Sequence, residues 1–196
     1  NDASATGVGT IDSTIQANTT AGFSIVTYTG TGSAGTIAHG LGVAPKLYII
    51  KNRDTAESWR FAAEEIGYGK QLLLGSSGTD AAASDTATFN NTAPTSTVFS
   101  VGTRNAVNKS GDDHVAYVFA EIKGYSKFGS YRGNISSGSE GMFVYTGFKP
   151  AWLMVKSNSN SGQEWVIFDN TRDPFNVADA WLYAQATTAE DSGGAE

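Results

Sequence analysis

Residues 39–51, HGLGVAPKLYIIK, and residues 145–156, YTGFKPAWLMVK, carry one pattern twice: a glycine-bearing turn, a proline, five apolar or aromatic residues nearly in a row, and a closing lysine. Aligning Pro45 with Pro150 puts Lys51 on Lys156 at the same offset of 105 residues. Trp59 then meets Trp165 at 106, LLL (72–74) approaches WLY (181–183) at 109, and YTGT (28–31) meets YRGN (131–134). Features shared in one order with so little drift mark a tandem duplication, and a period of this length is a domain-sized unit rather than a solenoid repeat. Such a chain must build the same local structure twice.

Each shared residue has a physical task. Proline lacks an N–H, so Pro45 and Pro150 belong at the start of a strand rather than inside a paired ladder. The apolar run is the strand itself, apolar on both faces and therefore expected to be central and covered on each side. Lys51 and Lys156 end it at water, with their stems over the rim of the core. Trp59 and Trp165 should open the antiparallel partner strand and pack into the core.

Further strands are expected in GFSIVTYTG (22–30), WRFAAEE (59–65), KQLLLG (70–75), TVFSVG (97–102), HVAYVFAEI (114–122), GMFVYTG (141–147) and EWVIFD (164–169). They are short, aromatic or β-branched, and separated by Gly, Ser, Asn, Asp and Thr clusters, which is the pattern of a sandwich or barrel. The expected organisation is a linker or strand over 1–21, a first β unit over 22–127 and a second over 128–196. In the first unit LLL is followed by two strong strands around Phe99 and Val115. In the second, WLY is followed by AQATTAEDSGGAE, with no counterpart of either. Such a unit exposes apolar surface and an unpaired edge, so either the polypeptide continues beyond Glu196, which is the favoured expectation, or a neighbouring chain completes the unit.

Composition sets limits on partners. With 13 basic against 19 acidic residues, the formal charge of -6 argues against a polyanion as main partner. The absence of cysteine removes disulfides, thiolate metal sites and cysteine nucleophiles. No apolar run approaches the roughly 18 residues of a membrane helix, and the first residues carry no secretion-signal pattern.

Catalytic chemistry finds little foothold. Glu64 and Glu65 are adjacent and would point to opposite faces of a strand. Asp169 and Asp173 lie across a turn with Arg172 between them, which reads as an Asx turn ahead of Pro174. His39 sits in the HGLG turn, where the second copy carries Tyr145 nearby. Asp112 and Asp113, followed by His114, are the candidate metal ligands, in a calcium site completed by loop carbonyls. Three consecutive residues of one strand cannot all converge on one ion. Tyr131, Arg132 and Asn134 are the candidate ligand contacts, an aromatic with polar neighbours in the permissive GYSKFGSYRGN segment, beside Lys123 and Lys127.

The segments NTTAGFSIVTYTGTG…HGLGVAPKLYIIK, FGSYRGN, VYTGFKPAWLMVK and FDNTRDPFN resemble a repeated domain of unknown function in large structural proteins of marine tailed bacteriophages. The similarity spans roughly residues 15–190. It implies a virion protein: a tail fibre, an adhesin-like appendage or a capsid-surface decoration. It also implies homo-oligomers, other virion proteins as partners, and host surface glycan as ligand. No catalytic residue carries over. The resulting expectation is an all-β fold of two tandem β-sandwich units, jelly-roll or lectin-like, the second incomplete, in a non-enzymatic protein with no cofactor beyond the calcium considered above, no nucleic acid and no membrane insertion. The competing reading is a carbohydrate-active or lectin domain of a secreted or surface bacterial protein.

Overall fold

A computed structural model describes residues 3–75, 82–134, 142–175 and 178–192. The strands in chain order are β1 (Ala3–Ser4), β2 (Ser13–Asn18), β3 (Phe23–Thr29), β4 (Gly35–Ala38), β5 (Leu47–Asn52), β6 (Trp59–Ala63) and β7 (Lys70–Leu74). They continue with β8 (Ala83–Ser84), β9 (Val98–Val101), β10 (Asp113–Phe119), β11 (Trp152–Val155), β12 (Val166–Asp169), β13 (Ala180–Tyr183) and β14 (Asp191–Ser192). Among the described residues helix is limited to single turns: α1 (Thr86–Phe89), α2 (Asn105–Asn108) and a 3-10 turn over Glu64–Ile66. The protein is all-β. Among the described residues no helix is long and apolar enough to cross a membrane.

Eight strands form one sheet in the order β1-β2-β3-β10-β5-β6-β7-β8. Residues 1–21 thus contribute β1 and β2 to this sheet. The pair β4–β9 lies over one face, and between the layers sits the main core, where Tyr48, Phe99, Ile37, Ile50, Val26, Val118 and Phe89 are fully buried. Alternation drives this: Tyr48, Ile50 and Asn52 of β5 turn inward while Leu47, Ile49 and Lys51 turn to the other face. Tyr48 is the hub, its ring against Phe89 and Phe99 at 5.2 and 5.0 Å and its hydroxyl donating to Ser100 O. On the opposite face runs an aromatic series, Trp59 on Tyr117 and Tyr117 on Phe23, with Phe23 on Phe119 and Phe119 on Phe128.

The second region folds as a separate four-stranded sheet, β11-β12-β13-β14, and its register is that of β5-β6-β7-β8. Leu47 opposes Ala63 and Ile50 opposes Arg60 in the first hairpin. Trp152 opposes Asp169 and Val155 opposes Val166 in the second. Offsets of 105 (152 − 47) and 106 (169 − 63) therefore hold through the whole pairing. The ladder ends alike too, Glu64 N donating to Lys46 O and Asn170 N to Ala151 O, each at 3.0 Å. In the next strand Phe61 opposes Leu72 and Ile167 opposes Leu182, an offset of 110 (182 − 72). The alignment of LLL with WLY at 109 is thus corrected by one residue, and in a strand one residue reverses the face.

The two meanders pack through equivalent faces. Phe61, Leu72 and Trp165 form a second core, with Ile49, Trp59 and Leu74 of the first region and Met154 and Ala184 of the second around it. Ile49 and Met154 are equivalent, as are Trp59 and Trp165, and Leu74 and Ala184. Trp165, 6% exposed, lies 4.5 Å from Phe61 and donates its Nε1–H to Leu73 O at 2.7 Å.

Several expectations are corrected. Among the described residues AWLMVK is an edge strand, with Trp152 and Leu153 exposed. WRFAAEE leaves the sheet after Ala63, where the backbone tightens into the 3-10 turn. Of GMFVYTG, Gly141 lies outside the described residues and 142–147 form no strand; residues 131–134 form none either. Pro45 and Pro150 each stand two residues ahead of their strands, the first buried and the second exposed.

Candidate functional site

The expected ligand residues share one surface segment. Tyr131, Arg132 and Asn134 are exposed on irregular backbone that follows Phe128. Ser130 Oγ ties that segment to Glu65 at 3.0 Å. Tyr131 is exposed, and its chain neighbours Ser130 and Arg132 are polar. Two shallow clefts lie elsewhere. One of about 260 Å³ is lined by residues including Asp12, Arg53, Asp113 and His114. One of about 480 Å³ runs along Gln16, Asn18, Phe23 and Ile25.

Asp112 and Asp113 are held by different partners. Asp112 Oδ2 accepts from Thr55 Oγ1 at 2.6 Å and Asn52 Nδ2 at 2.9 Å, and lies 3.1 Å from the Lys109 ammonium. Those hydrogen bonds, Thr55 first, lower its pKa to about 2. Asp113 Oδ1 instead accepts from Thr29 Oγ1, and its N–H donates to Asp54 Oδ2. Lys109 already sets a positive charge beside Asp112, while Asp113 is held by Thr29. They serve as a tie between the β5–β6 turn and the start of β10.

The histidines are interior groups. His39 is fully buried, its Nδ1 accepting from Leu41 N and its Nε2 facing Thr95 O at 3.2 Å. His114 stacks on Tyr28 at 5.1 Å, with Nδ1 3.0 Å from Asp112 O. Burial lowers both pKa values, more than the backbone carbonyls raise them.

Glu64, Asp169 and Asp173 are likewise engaged, whereas Glu164 Oε2 is buried without a hydrogen-bond partner among the described residues. Glu64 pairs with Lys46. Asp169 accepts from the backbone N–H groups of Arg172 and Thr171 and from Arg172 Nε, which holds its pKa low. That is the Asx turn read from the sequence. Asp173 accepts from Asp179 N at 2.7 Å, and Arg172 reaches on to Glu190 at 2.8 Å. No carboxylate pair among these faces across a cleft, and no group of three His, Asp or Glu able to hold a metal occurs among the described residues.

The repeated lysines do something the sequence did not disclose. Lys51 Nζ donates to Asn52 O at 2.7 Å and Thr55 O at 3.4 Å. Lys156 Nζ donates to Ser157 O at 3.0 Å and Gln163 O at 2.9 Å. Each folds back over its own hairpin turn and binds the carbonyl of the next residue. A closing lysine repeated after each apolar run was the available signal, and its direction was not.

The fold and these residues define a class: an all-β protein whose polar clusters clip loops and turns. The chain belongs to the family described as Domain of unknown function (DUF7483), whose model matches residues 1–196. Comparisons with curated proteins and with solved structures gave no match.

Proposed function

We propose that this chain is a non-enzymatic structural component of a virion, a tail fibre, adhesin-like appendage or capsid-surface decoration, built from two tandem β-sandwich units. The observation that carries the reading is the shared register of the two meanders and their packing through the same face. Duplicated modules stacked through equivalent surfaces suit cohesion and display. The engagement of Asp112, Asp169 and Asp173 in loop ties supports a role without turnover. Homo-oligomers and other virion proteins are the partners, and host surface glycan is the ligand, held on the Tyr131 ring with Arg132 and Asn134 beside it.

Imaging of intact particles labelled on this chain tests the location, and a symmetric array on the particle surface is expected. A glycan array with reducing-sugar release tests the chemistry. Binding weakened by Tyr131→Ala without sugar release is expected, and sustained turnover of any polysaccharide sinks the reading.

A further inference from the structure

The face of the large sheet that turns away from the main core is only partly covered. Met154 and Ala184 of the second region pack there with Ile49, Trp59 and Leu74, which closes the part formed by β5, β6 and β7. The part formed by β2, β3 and β10 stays open among the described residues. Alternation decides what it presents. Ser24, Val26 and Tyr28 of β3 are buried, so Phe23, Ile25, Thr27 and Thr29 turn to the other face. In register beside them on β2 stand Asn18 at Phe23, Gln16 at Ile25 and Thr14 at Thr27. On the β10 side stand Phe119, Tyr117, Val115 and Asp113.

Both clefts lie on this open part. The larger is floored by Gln16, Asn18, Phe23 and Ile25. The smaller begins at the next register pair, Thr14 and Thr27, and runs on to Asp12, Arg53 and Asp113. They therefore join end to end along β2 and β3 as one groove, about 20 Å long from Asp12 to Asn18. Its chemistry is graded. At one end are half-buried rings, Phe23 lying 6.3 Å from Tyr117 and 4.9 Å from Phe119. In the middle, the side chains of Thr14, Gln16 and Thr27 make no hydrogen bond among the described residues. At the far end Asp12 and Asp113 each accept through one oxygen, from Gly7 N and Thr29 Oγ1. Arg53 beside them is exposed, and its guanidinium has no ion pair among the described residues.

We propose that this groove binds a neutral oligosaccharide lying along β2 and β3. Apolar ring faces of the sugar rest on Phe23 and Tyr117. Amide and hydroxyl groups both donate and accept, so Gln16, Thr14 and Thr27 match sugar hydroxyls, which do the same. Arg53 donates to the hydroxyls at the far end, and Asp12 and Asp113 accept from them. A protein partner would meet an apolar centre within a polar rim, whereas here the centre is the Thr14–Thr27 pair and the rings lie to one side. A polyanionic glycan is disfavoured, because two carboxylates stand against one guanidinium and Lys51 is folded over its own turn. The ligand class rests on the glycan reading above, and the place is a site other than Tyr131.

The probe is an array of neutral hexose and N-acetylhexosamine oligosaccharides, with sulfated and uronate-bearing oligosaccharides as a second arm, applied to the whole chain. Neutral oligosaccharides are bound in preference. Titration of the strongest of them, followed by NMR, shifts the backbone amides of Gln16, Asn18, Ile25 and Thr27. Phe23→Ala weakens binding by about tenfold or more. Gln16→Ala and Thr14→Val, at exposed positions of β2 that keep the strand intact, weaken it by about threefold each without changing the unfolding midpoint. These two keep the test valid if Phe23→Ala fails to fold. Preference for the sulfated or uronate-bearing arm overturns the proposal. So does equal binding by Gln16→Ala and Thr14→Val, or a dimer that uses the groove as its interface. Shifts confined to residues 128–134 overturn this site and keep the one at Tyr131, and no bound oligosaccharide at all removes both. Location on particles is read separately, so the virion reading stands or falls on its own.

Discussion

Ile50 and Val155 hold the same place in two hairpins of one register, yet Ile50 is fully buried and Val155 is only half-buried. On the shared inner face the two regions are alike: Ile49 with Met154 and Trp59 with Trp165 meet around Phe61. On the other face the first region adds β4, β9, α1 and α2 as cover and β10 at its edge, while the second leaves Leu153 exposed and Phe168 and Trp181 half-buried. Polar chemistry diverges on the same face. Gln71 accepts from Arg60 and Thr88 and donates to Asp85, whereas its counterpart by register is Trp181. A hairpin register is thus set locally, by its turn and its own side chains, whereas burial is set by what arrives from distant sequence.

The strongest perturbation of this comparison is Trp165→Ala, which empties the contact between the two meanders and removes the bond to Leu73 O. A loss of about 3–5 kcal/mol is expected in denaturant titration, together with separation of the two regions' unfolding transitions. Next come Ile50→Ala and Val155→Ala. The first should cost about 2–5 kcal/mol and the second about 1 kcal/mol, because only a buried methyl group loses its full transfer energy. Equal costs would break the comparison. Lys51→Met and Lys156→Met should each cost about 1 kcal/mol after discounting for exposure, and each should speed amide exchange in its own hairpin turn alone.

The smallest effects are with pH. His39 and His114 have folded pKa values below the unfolded value near 6.5. Their contribution is complete above that value and is lost as pH falls, because the unfolded chain takes up the proton first. Asp112, lowered to about 2, contributes fully above the unfolded carboxylate range near 3.9 and loses its share as pH falls toward about 2. Stability against pH should therefore decline in two steps. His114→Gln should shrink the upper step, and Asp112→Asn the lower.

Much of the first meander was legible because its strands carry dense apolar and aromatic runs. KLYIIK, KQLLLG and HVAYVFAEI all form strands close to their expected bounds. Trp59 opens its strand and Trp165 directly precedes β12, as their spacing suggested. β2 and β4 were missed as defined strands because STIQAN and GTIA are polar or short, and they become strands by pairing with β3 and β9. The central place expected for AWLMVK failed for a different reason: apolarity on both faces reports what could be covered, not what covers it. Of the candidate site, exposure of Tyr131 and Arg132 was legible. The tie at Asp112 was not, since Asn52 and Thr55 lie far from it in sequence and reach it through the pairing of β5 with β10.

Residue-resolved amide exchange across the two meanders tests most directly whether one hairpin design is enclosed in one place and open in the other. Along Leu47–Lys51 of β5 every amide should be slow, since β6 and β10 take alternate positions. Along β11 Leu153 and Val155 should be slow, with Trp152 and Met154 fast. Uniform slowness along β11 in the chain alone, or a protection pattern displaced by one residue, would contradict it.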